Sequence, residues 1–455
     1  MNKAAHHPVK KSKHLLRRTT MLAAMMACCA CTNHMSSSSR LGPQAGKPVE
    51  PPKDIKRDAD TPQPLAKGKK TYVLLQVDGG GIMGITPATV LARLEGEMRQ
   101  RRPDFRGKTL KDVLSVCSGT STGAIITGMV AAGVPAEEIA RYYTVEGVDL
   151  FQRKARYPFP VFPFFTPRYD RATFQNTLFE VIDRYHPRRP EDGSMMLSEL
   201  DKQRGGAPLL IIPAYDLRSK RTHFLRSRGF KDSPLDSEYD MQLVDAISCS
   251  ALNAAMYFGK VQAPDQKWEY VQADGTRQMM KGAVYNDGGQ GTQNNTLGLT
   301  LLEALSRGWG TKDGEQVVII SLGCGDDFKP KSYANAARLS GAAQVWKFAF
   351  KGQARDEAAL LQWRAGRQLA AYNANYKVFR FNFVPKSATA FSVNSKQLTE
   401  LQHEQPEKIF ERLDFRQLVK DLCDPAVDLA GPKKEKAGAS VPAPSLPMKM
   451  APRGL

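Results

Sequence analysis

Metal-binding residues are scarce in this sequence. Its 455 residues include seven cysteines and seven histidines. The cysteines beyond the N-terminal segment are widely separated, with no CxxC or similar spacing, at Cys117, Cys249, Cys324 and Cys423. Because metal sites built on cysteine show such close pairs, we expect no metal ion, and no motif in the sequence requires another cofactor.

The apolar run near the N-terminus is too short to cross a bilayer. A transmembrane helix needs about 20 apolar residues, and this run covers only residues 21–27. Six Lys and Arg residues precede it within the first 18 positions. A basic segment followed by a short apolar segment is typical of an export signal.

The run ends in Met25-Met-Ala-Cys28, which resembles a bacterial lipobox. We therefore expect residues 1–31 to be a signal peptide or lipoprotein signal, with Cys28 acylated and Cys29 or Cys31 as alternatives. The protein would then lie on the periplasmic face of a bacterial membrane, or be secreted if the signal is cleaved without acylation. An uncleaved N-terminus would indicate a cytosolic protein, and the intact mass of the mature protein distinguishes the three.

The net charge of +19 is concentrated at the two ends of the chain. Residues 1–70 hold 14 Lys and Arg against 4 Asp and Glu, and residues 431–455 hold 5 against 1. That leaves only +5 for residues 71–430, without a basic stripe or an interleaved aromatic platform. This distribution argues against nucleic acid as a partner and leaves a weak preference for anionic membrane surfaces open.

Composition divides the rest of the chain into three parts. Residues 32–70 are rich in Ser, Pro and Lys without a periodic apolar pattern, which predicts a flexible linker. Residues 431–455 show the same character and predict a disordered tail. Residues 71–430 have the composition of one large folded domain.

Strand and helix patterns alternate through that domain. We expect strands at 72–77, 113–117, 209–212, 224–225 and 317–322, and helices at 86–101, 123–132, 136–144, 171–184, 239–250, 297–307 and 396–421. Alternating elements of this kind pack as an α/β fold. The sequence therefore predicts a three-layer sandwich with a mostly parallel central sheet and helices on both faces.

A predicted strand and a predicted helix meet at Gly119-Thr-Ser-Thr-Gly123, a G-x-S-x-G pattern. Small flanking residues allow the sharp turn that exposes a serine hydroxyl at a helix N-terminus. The pattern also fits a plain glycine-rich turn in which the serine caps the helix. With the motifs described next, it favours Ser121 as a nucleophile.

A second glycine-rich turn, Asp78-Gly-Gly-Gly-Ile-Met-Gly84, joins the first strand to the first helix. Successive glycines leave amide groups unobstructed, so Gly79, Gly80 and Gly81 are candidates for an oxyanion hole. The same glycines satisfy the dinucleotide pattern G-x-G-x-x-G, which requires an acidic residue at the end of a second strand. The acidic residues at that distance lie in a helical segment instead, so nucleotide binding is the weaker alternative.

A serine nucleophile needs a base, and Asp287 is the better candidate. It precedes two glycines in Tyr285-Asn-Asp-Gly-Gly289, whereas the histidine in the usual chain order, His403, lies in a polar helical stretch. Asp-Gly is also the strongest hairpin dipeptide. Taken alone, the segment is equally compatible with a hairpin turn.

The order Asp-Gly-Gly-Gly-x-x-Gly, Gly-x-Ser-x-Gly, Asp-Gly-Gly resembles the patatin-like phospholipase family. The resemblance covers roughly residues 71–385 and includes the segments 134–143, 168–170, 214–216, 248–258, 294–295 and 321–325. Two positions depart from the family pattern: Met83 replaces the usual Arg of the glycine loop, and Ala124 replaces a common Gly after the serine.

The resemblance implies a patatin-like α/β catalytic domain with a Ser/Asp dyad and no metal. Ser121 would attack a fatty-acyl ester of a phospholipid or lysophospholipid, Asp287 would accept its proton, and Gly79, Gly80 and Gly81 would hold the oxyanion. A catalytically silent lipoprotein scaffold is the alternative from another class of protein. Covalent labelling of the serine separates the two.

Overall fold

The computed structural model describes residues 64–144, 171–186, 195–202, 206–228, 240–252, 261–271, 274–290, 293–325, 374–386 and 394–432. All of them belong to one compact unit. The predicted signal with Cys28, nearly all of the predicted linker and residues 433–455 of the predicted tail lie outside the described residues. Among the helices that the structure describes, none has both the length and the apolar composition of a membrane span.

The described strands form one sheet in the order β5-β6-β3-β2-β1-β7-β8, with β4 also paired to β3 and β9 to β1. Their bounds are β1 Lys70–Val77, β2 Leu114–Gly119, β3 Leu209–Asp216, β4 Arg221–Arg226, β5 Val261–Val271, β6 Arg277–Asp287, β7 Glu315–Leu322, β8 Tyr376–Phe381 and β9 Asp428–Leu429. The core strands β3, β2, β1, β7 and β8 are parallel, whereas β4, β5 and β6 pair antiparallel. The predicted mostly parallel α/β sheet is confirmed.

Helices cover both faces of the sheet. They are α1 Ile85–Arg101, α2 Thr122–Ala131, α3 Ala136–Thr144, α4 Arg171–Tyr185, α5 Leu243–Ala251, α6 Leu297–Ser306, α7 Ser395–Thr399, α8 Gln405–Phe410 and α9 Leu413–Cys423. Alternate residues of β1 enter two separate cores: Val73 and Leu75 pack with helices such as α1 and α2, and Leu74 packs with α6. Both faces of the strand are buried, which explains why its sequence is a continuous apolar run.

The centre of the sheet contains a junction at β3. Ile211 pairs with β4 on one edge and β2 on the other, and Ala214 pairs with β4 on one edge and β6 on the other. Strands β2 and β6 therefore share the same edge of β3. Since β2 runs parallel and β6 antiparallel to β3, their carboxyl ends point toward each other and meet beside Pro213.

Two parts of the fold differ from the sequence prediction. Strands β5, β6, β8 and β9 were not predicted. The first half of β6 is largely exposed, so its apolar pattern is weak, and β9 has only two residues. The predicted helix 396–421 is interrupted by a π-helical turn, Glu400–Glu404, which ends two residues before Pro406, and by an extended residue, Arg412. Proline cannot donate the helical hydrogen bond, and the wider turn accommodates that loss.

Candidate active site

Ser121 occupies a strained turn between β2 and α2. Its backbone lies at φ 55 and ψ −121, a conformation that residues with a side chain rarely adopt. Such strain costs about 1–3 kcal/mol and persists only where the surrounding structure enforces it. The turn places the serine at the N-terminus of a ten-residue helix, whose dipole favours developing negative charge.

The two glycines of the turn are required by close backbone packing. A Cβ atom on Gly119 would lie 2.3 Å from the carbonyl oxygen of Gly123, and one on Gly123 would lie 2.1 Å from the carbonyl oxygen of Val77. Neither neighbour is a flexible side chain, so no other residue fits without moving the backbone. The G-x-S-x-G pattern thus reflects the contact between this turn and the end of β1.

The carboxylate of Asp287 lies close to the serine. The Ser121 side chain acts on its pKa as a hydrogen-bonding neighbour, and the Gly289 amide donates a hydrogen bond to it, 2.8 Å long. Asp287 is the last residue of β6 and is followed by a short 3-10 turn, so the hairpin interpretation of Asp-Gly does not apply. Burial raises the pKa of Asp287 to about 7, although Ser121 and Gly289 act in the opposite direction.

The junction at β3 explains how two residues so far apart in sequence meet. Ser121 follows the carboxyl end of β2, Asp287 forms the carboxyl end of β6, and the two ends converge beside Pro213. A Cβ atom on Gly288 would lie 2.2 Å from the Pro213 carbonyl oxygen and 3.2 Å from Cγ2 of Thr120. The residue that follows Asp287 and the serine turn are therefore in direct contact.

The glycine loop lies against the serine. A Cβ atom on Gly79 would be 3.1 Å from Cβ of Ser121. The Gly79 amide, predicted to face the oxyanion, instead donates to the Asn294 carbonyl at 3.2 Å, and the Asn294 side chain donates back to the Gly79 carbonyl at 3.3 Å. No described residue accepts a hydrogen bond from the amides of Gly80 and Gly81.

An ion pair anchors the start of this loop. The Arg380 guanidinium, on β8, donates to both carboxylate oxygens of Asp78, with Nη1 to Oδ1 at 3.1 Å. Arg380 also donates to the Ser321 hydroxyl at 2.9 Å, and Gln76 donates to Oδ1 of Asp78 at 2.9 Å. Sequence reasoning missed Arg380, since a single cation in an unpredicted strand gives no signal of its role.

Met83, which replaces the Arg expected in the glycine loop, packs against the hydrophobic core. A Cβ atom on Gly325 would lie 3.4 Å from its sulfur. Position 83 therefore places no positive charge in the glycine loop. The guanidinium group beside Asp78 comes from a different part of the chain.

Two described histidines are engaged away from the serine. His223 hydrogen-bonds Tyr285 at 2.9 Å and Ser219 at 3.3 Å, and burial lowers its pKa to about 4. His186 donates to the carbonyl oxygen of Ala132. Asp287, in contrast, is a titratable residue whose side chain interacts with that of Ser121.

The acidic residues relevant to nucleotide binding have structural partners. Glu95 is buried in α1, where it accepts hydrogen bonds from the amides of Leu110 and Ala136 at 3.0 and 3.3 Å and pairs with Arg99. Strand β2 ends in glycine rather than in an acid. Among the described residues, no cluster of three or more His, Cys, Asp or Glu side chains is arranged to bind a metal ion.

Comparison with known proteins identifies one family. Residues 75–298 match the model of the patatin-like phospholipases. The chain is 27% identical over 209 residues to Patatin-17 of Solanum cardiophyllum, covering 44% of this chain and 46% of that protein. It is 26% identical over 313 residues to Patatin-like protein 2 of Oryza sativa subsp. japonica, covering 62% and 67%. The chain thus spans about half the length of several curated patatins that it matches.

Solved structures give a more distant likeness. VipD from Legionella pneumophila aligns with a TM-score of 0.33 at 13% identity, covering 78% of this chain and 67% of that one. The type III effector protein ExoU aligns with a TM-score of 0.34 at 11% identity, covering 77% and 54%. The order and direction of the strands in this chain define its α/β fold without reference to these two structures.

Proposed function

Because residues 75–298 belong to the patatin-like phospholipase family, we propose that this protein is a serine acyl-hydrolase that cleaves fatty-acyl esters of phospholipids or lysophospholipids. The observation that carries the proposal is the closeness of Ser121 to the buried Asp287 carboxylate, where β2 and β6 converge beside Pro213. The strained turn at Ser121 supports it, as does the neighbouring glycine loop, in which the amides of Gly80 and Gly81 donate to no described residue.

Acylation begins at the serine hydroxyl. As Oγ of Ser121 attacks the ester carbonyl, its proton passes to Asp287, so no histidine is needed between them. A base with a pKa near the working pH is the most effective, and burial places the pKa of Asp287 at about 7.

The negative charge of the tetrahedral intermediate needs donors. We assign this role to the amides of Gly80 and Gly81, while Gly79 holds the loop in place through its two hydrogen bonds with Asn294. One donor of this kind is typically worth about 3–4 kcal/mol of transition-state stabilisation. The dipole of α2 acts on the same charge.

Collapse of the intermediate releases the alcohol part of the lipid, which takes the proton from Asp287. Water then attacks the acyl-serine, again with Asp287 as base, and the fatty acid leaves as Ser121 recovers its proton. Every step uses the same two side chains and the same pair of amides. The cycle requires no metal or cofactor.

We also propose that the protein is exported and anchored by a lipid. This part of the proposal rests on the sequence of residues 1–31 alone. An anchored enzyme would meet its lipid substrate at a membrane surface. The alternative of a nucleotide-binding protein lacks the acidic residue that it requires, because the buried carboxylate of Glu95 already accepts hydrogen bonds from two backbone amides. A catalytically silent scaffold is the alternative that the next experiment separates.

Substitution of either dyad residue should abolish hydrolysis. We expect Ser121→Ala and Asp287→Asn each to reduce kcat by on the order of 10³-fold or more, measured as fatty-acid release from phospholipid micelles and from a fatty-acyl nitrophenyl ester. The matched control is Ser118→Ala, which removes a buried hydroxyl that bonds Thr296 and Thr300 at 2.8 and 2.6 Å.

The control should keep wild-type kcat within a few-fold. Full activity in either dyad variant would refute the assignment. A wild-type protein that folds yet hydrolyses neither substrate would favour the scaffold.

A further inference from the structure

The geometry points to Ser250 as a positioning residue that holds the serine turn against the base-bearing strand. This inference rests on the proposed function and adds a residue to it. Ser250 lies near the end of α5 and is fully buried. Its hydroxyl hydrogen-bonds backbone groups of the described residues, not the Ser121 hydroxyl or the Asp287 carboxylate.

Ser250 makes two hydrogen bonds that connect different strands. Its hydroxyl oxygen accepts a hydrogen bond from the backbone amide of Ser121 at 3.0 Å. The same hydroxyl donates to the carbonyl oxygen of Pro213 at 2.6 Å. One side chain thus connects the strained residue of the turn to the strand on which the two halves of the site converge.

The carbonyl of Pro213 is available because of the junction in the sheet. Pairing with β2 ends at Ile211, and pairing with β6 begins at Ala214. Neither strand pairs with Pro213, so its carbonyl oxygen lies in the gap between them. The same oxygen lies against Gly288, directly after the base.

This arrangement gives the Ser250 hydroxyl a specific task. Ser121 has a backbone conformation that it would leave if nothing retained it, and the Ser250 bond fixes its amide. Because the other end of the connection is Pro213, the turn is fixed relative to β3 and therefore relative to Asp287. Loss of the hydroxyl should let Oγ of Ser121 drift from the base without removing any reacting atom.

The test compares two buried serines of the same helix. Ser250→Ala should lower kcat by about 10- to 100-fold with KM within twofold of wild type, since misplacement by about 1 Å costs up to 10²-fold. The rate of fluorophosphonate labelling of Ser121 should fall by the same factor. The control is Ser248→Ala, whose hydroxyl is equally buried but bonds Val244 of its own helix at 2.6 Å and Gln175 at 3.1 Å.

The Ser248 variant should keep kcat and the labelling rate within twofold. If Ser250→Ala does not fold, Ser250→Cys fills the same space with a weak hydrogen-bonding group, and it should show the same loss of kcat to a smaller degree. Wild-type kcat in a folded Ser250 variant, or an equal loss in Ser248→Ala, would overturn the inference.

The result is separable from the proposed function. If Ser121→Ala abolishes hydrolysis while Ser250→Ala leaves it unchanged, the positioning role is wrong and the dyad stands. If Ser121→Ala retains hydrolysis, the proposed function itself fails, whatever the Ser250 variant does.

Discussion

The buried carboxyl group of Asp287 is costly to ionise. A buried carboxylate without a cationic partner is disfavoured, which is why burial raises its pKa to about 7. Ser121 and Gly289 offset only part of that effect. The feature that makes it a suitable base at neutral pH therefore lowers the stability of the folded protein.

Asp287→Asn should stabilise the fold in a pH-dependent way. In the wild type the unfolded carboxyl ionises near pH 4 and the folded one near 7. Stability from this group is thus present at low pH and lost as the pH rises through 7. A rise in the pKa of Asp287 from 3.8 to about 7 corresponds to a loss of roughly 4 kcal/mol in the free energy of unfolding at high pH.

The measurement is the unfolding free energy of both proteins at pH 4, 5, 6, 7 and 8. The advantage of the variant should grow between about pH 4 and 7 and stay constant above. Parallel pH profiles for variant and wild type would show that the pKa of Asp287 is not raised.

Among individual residues, the sequence indicated Ser121 as a site residue more clearly than Asp287. Gly119 and Gly123 leave a visible pattern around Ser121 because backbone packing excludes a Cβ atom at both positions. Asp287 and the two glycines after it fit a hairpin turn equally well. Whether the segment is a hairpin or part of the site depends on the pairing of β6 with β3, two strands that are far apart in sequence. The amides of Gly80 and Gly81 could be proposed from sequence, but the engagement of Gly79 by Asn294 could not.

Among the elements, the glycine loop depends on a strand that follows it by about 300 residues. Arg380 on β8 holds Asp78, and β8 joins the sheet through β7. Both side chains are largely withdrawn from solvent. The loop is thus anchored on one side by Asn294 and on the other by Arg380.

Arg380→Met should loosen the glycine loop. We expect the unfolding free energy to fall by about 2 kcal/mol, since hydrogen bonds to a charged group are lost, and kcat to fall about tenfold as the amides lose their fixed position. Chemical denaturation and hydrolysis assays measure the two effects. Adding Asp78→Asn should restore part of the stability, because the unpaired carboxylate is removed.

The matched control is Lys386→Met, which breaks an exposed ion pair with Glu404, 2.7 Å long. Exposed pairs of this kind add little to stability, so stability and kcat should change little. An Arg380 variant that behaves like this control would argue against an anchoring role.

The elements that sequence predicted well are those buried on both sides. Strand β1 is a continuous apolar run, and its bounds were found to within a few residues. Strands β5 and β6 form an antiparallel pair with many exposed positions, so their periodicity is weak. The junction of β2 and β6 on one edge of β3 follows from pairing alone and has no signature in either segment.

In the molecule as a whole, the folded domain continues beyond the residues that match the family model. Residues beyond 298 supply β7, which pairs with β1 along its entire length, and β8 with Arg380. The buried guanidinium of Arg102 donates to the carbonyls of Leu422, Asp424 and Val427, which fixes the end of α9 onto the core. The sheet and the anchor of the glycine loop therefore depend on residues that lie outside the matched range.

The most direct test of the account is covalent labelling with a fluorophosphonate between pH 5 and 9, followed by peptide mapping. The account predicts a single adduct on Ser121. Its formation rate should rise about tenfold per pH unit below 7, level off above as Asp287 ionises, and be lost in Asp287→Asn. An adduct on another residue, a rate independent of pH, or wild-type labelling of Asp287→Asn would contradict it.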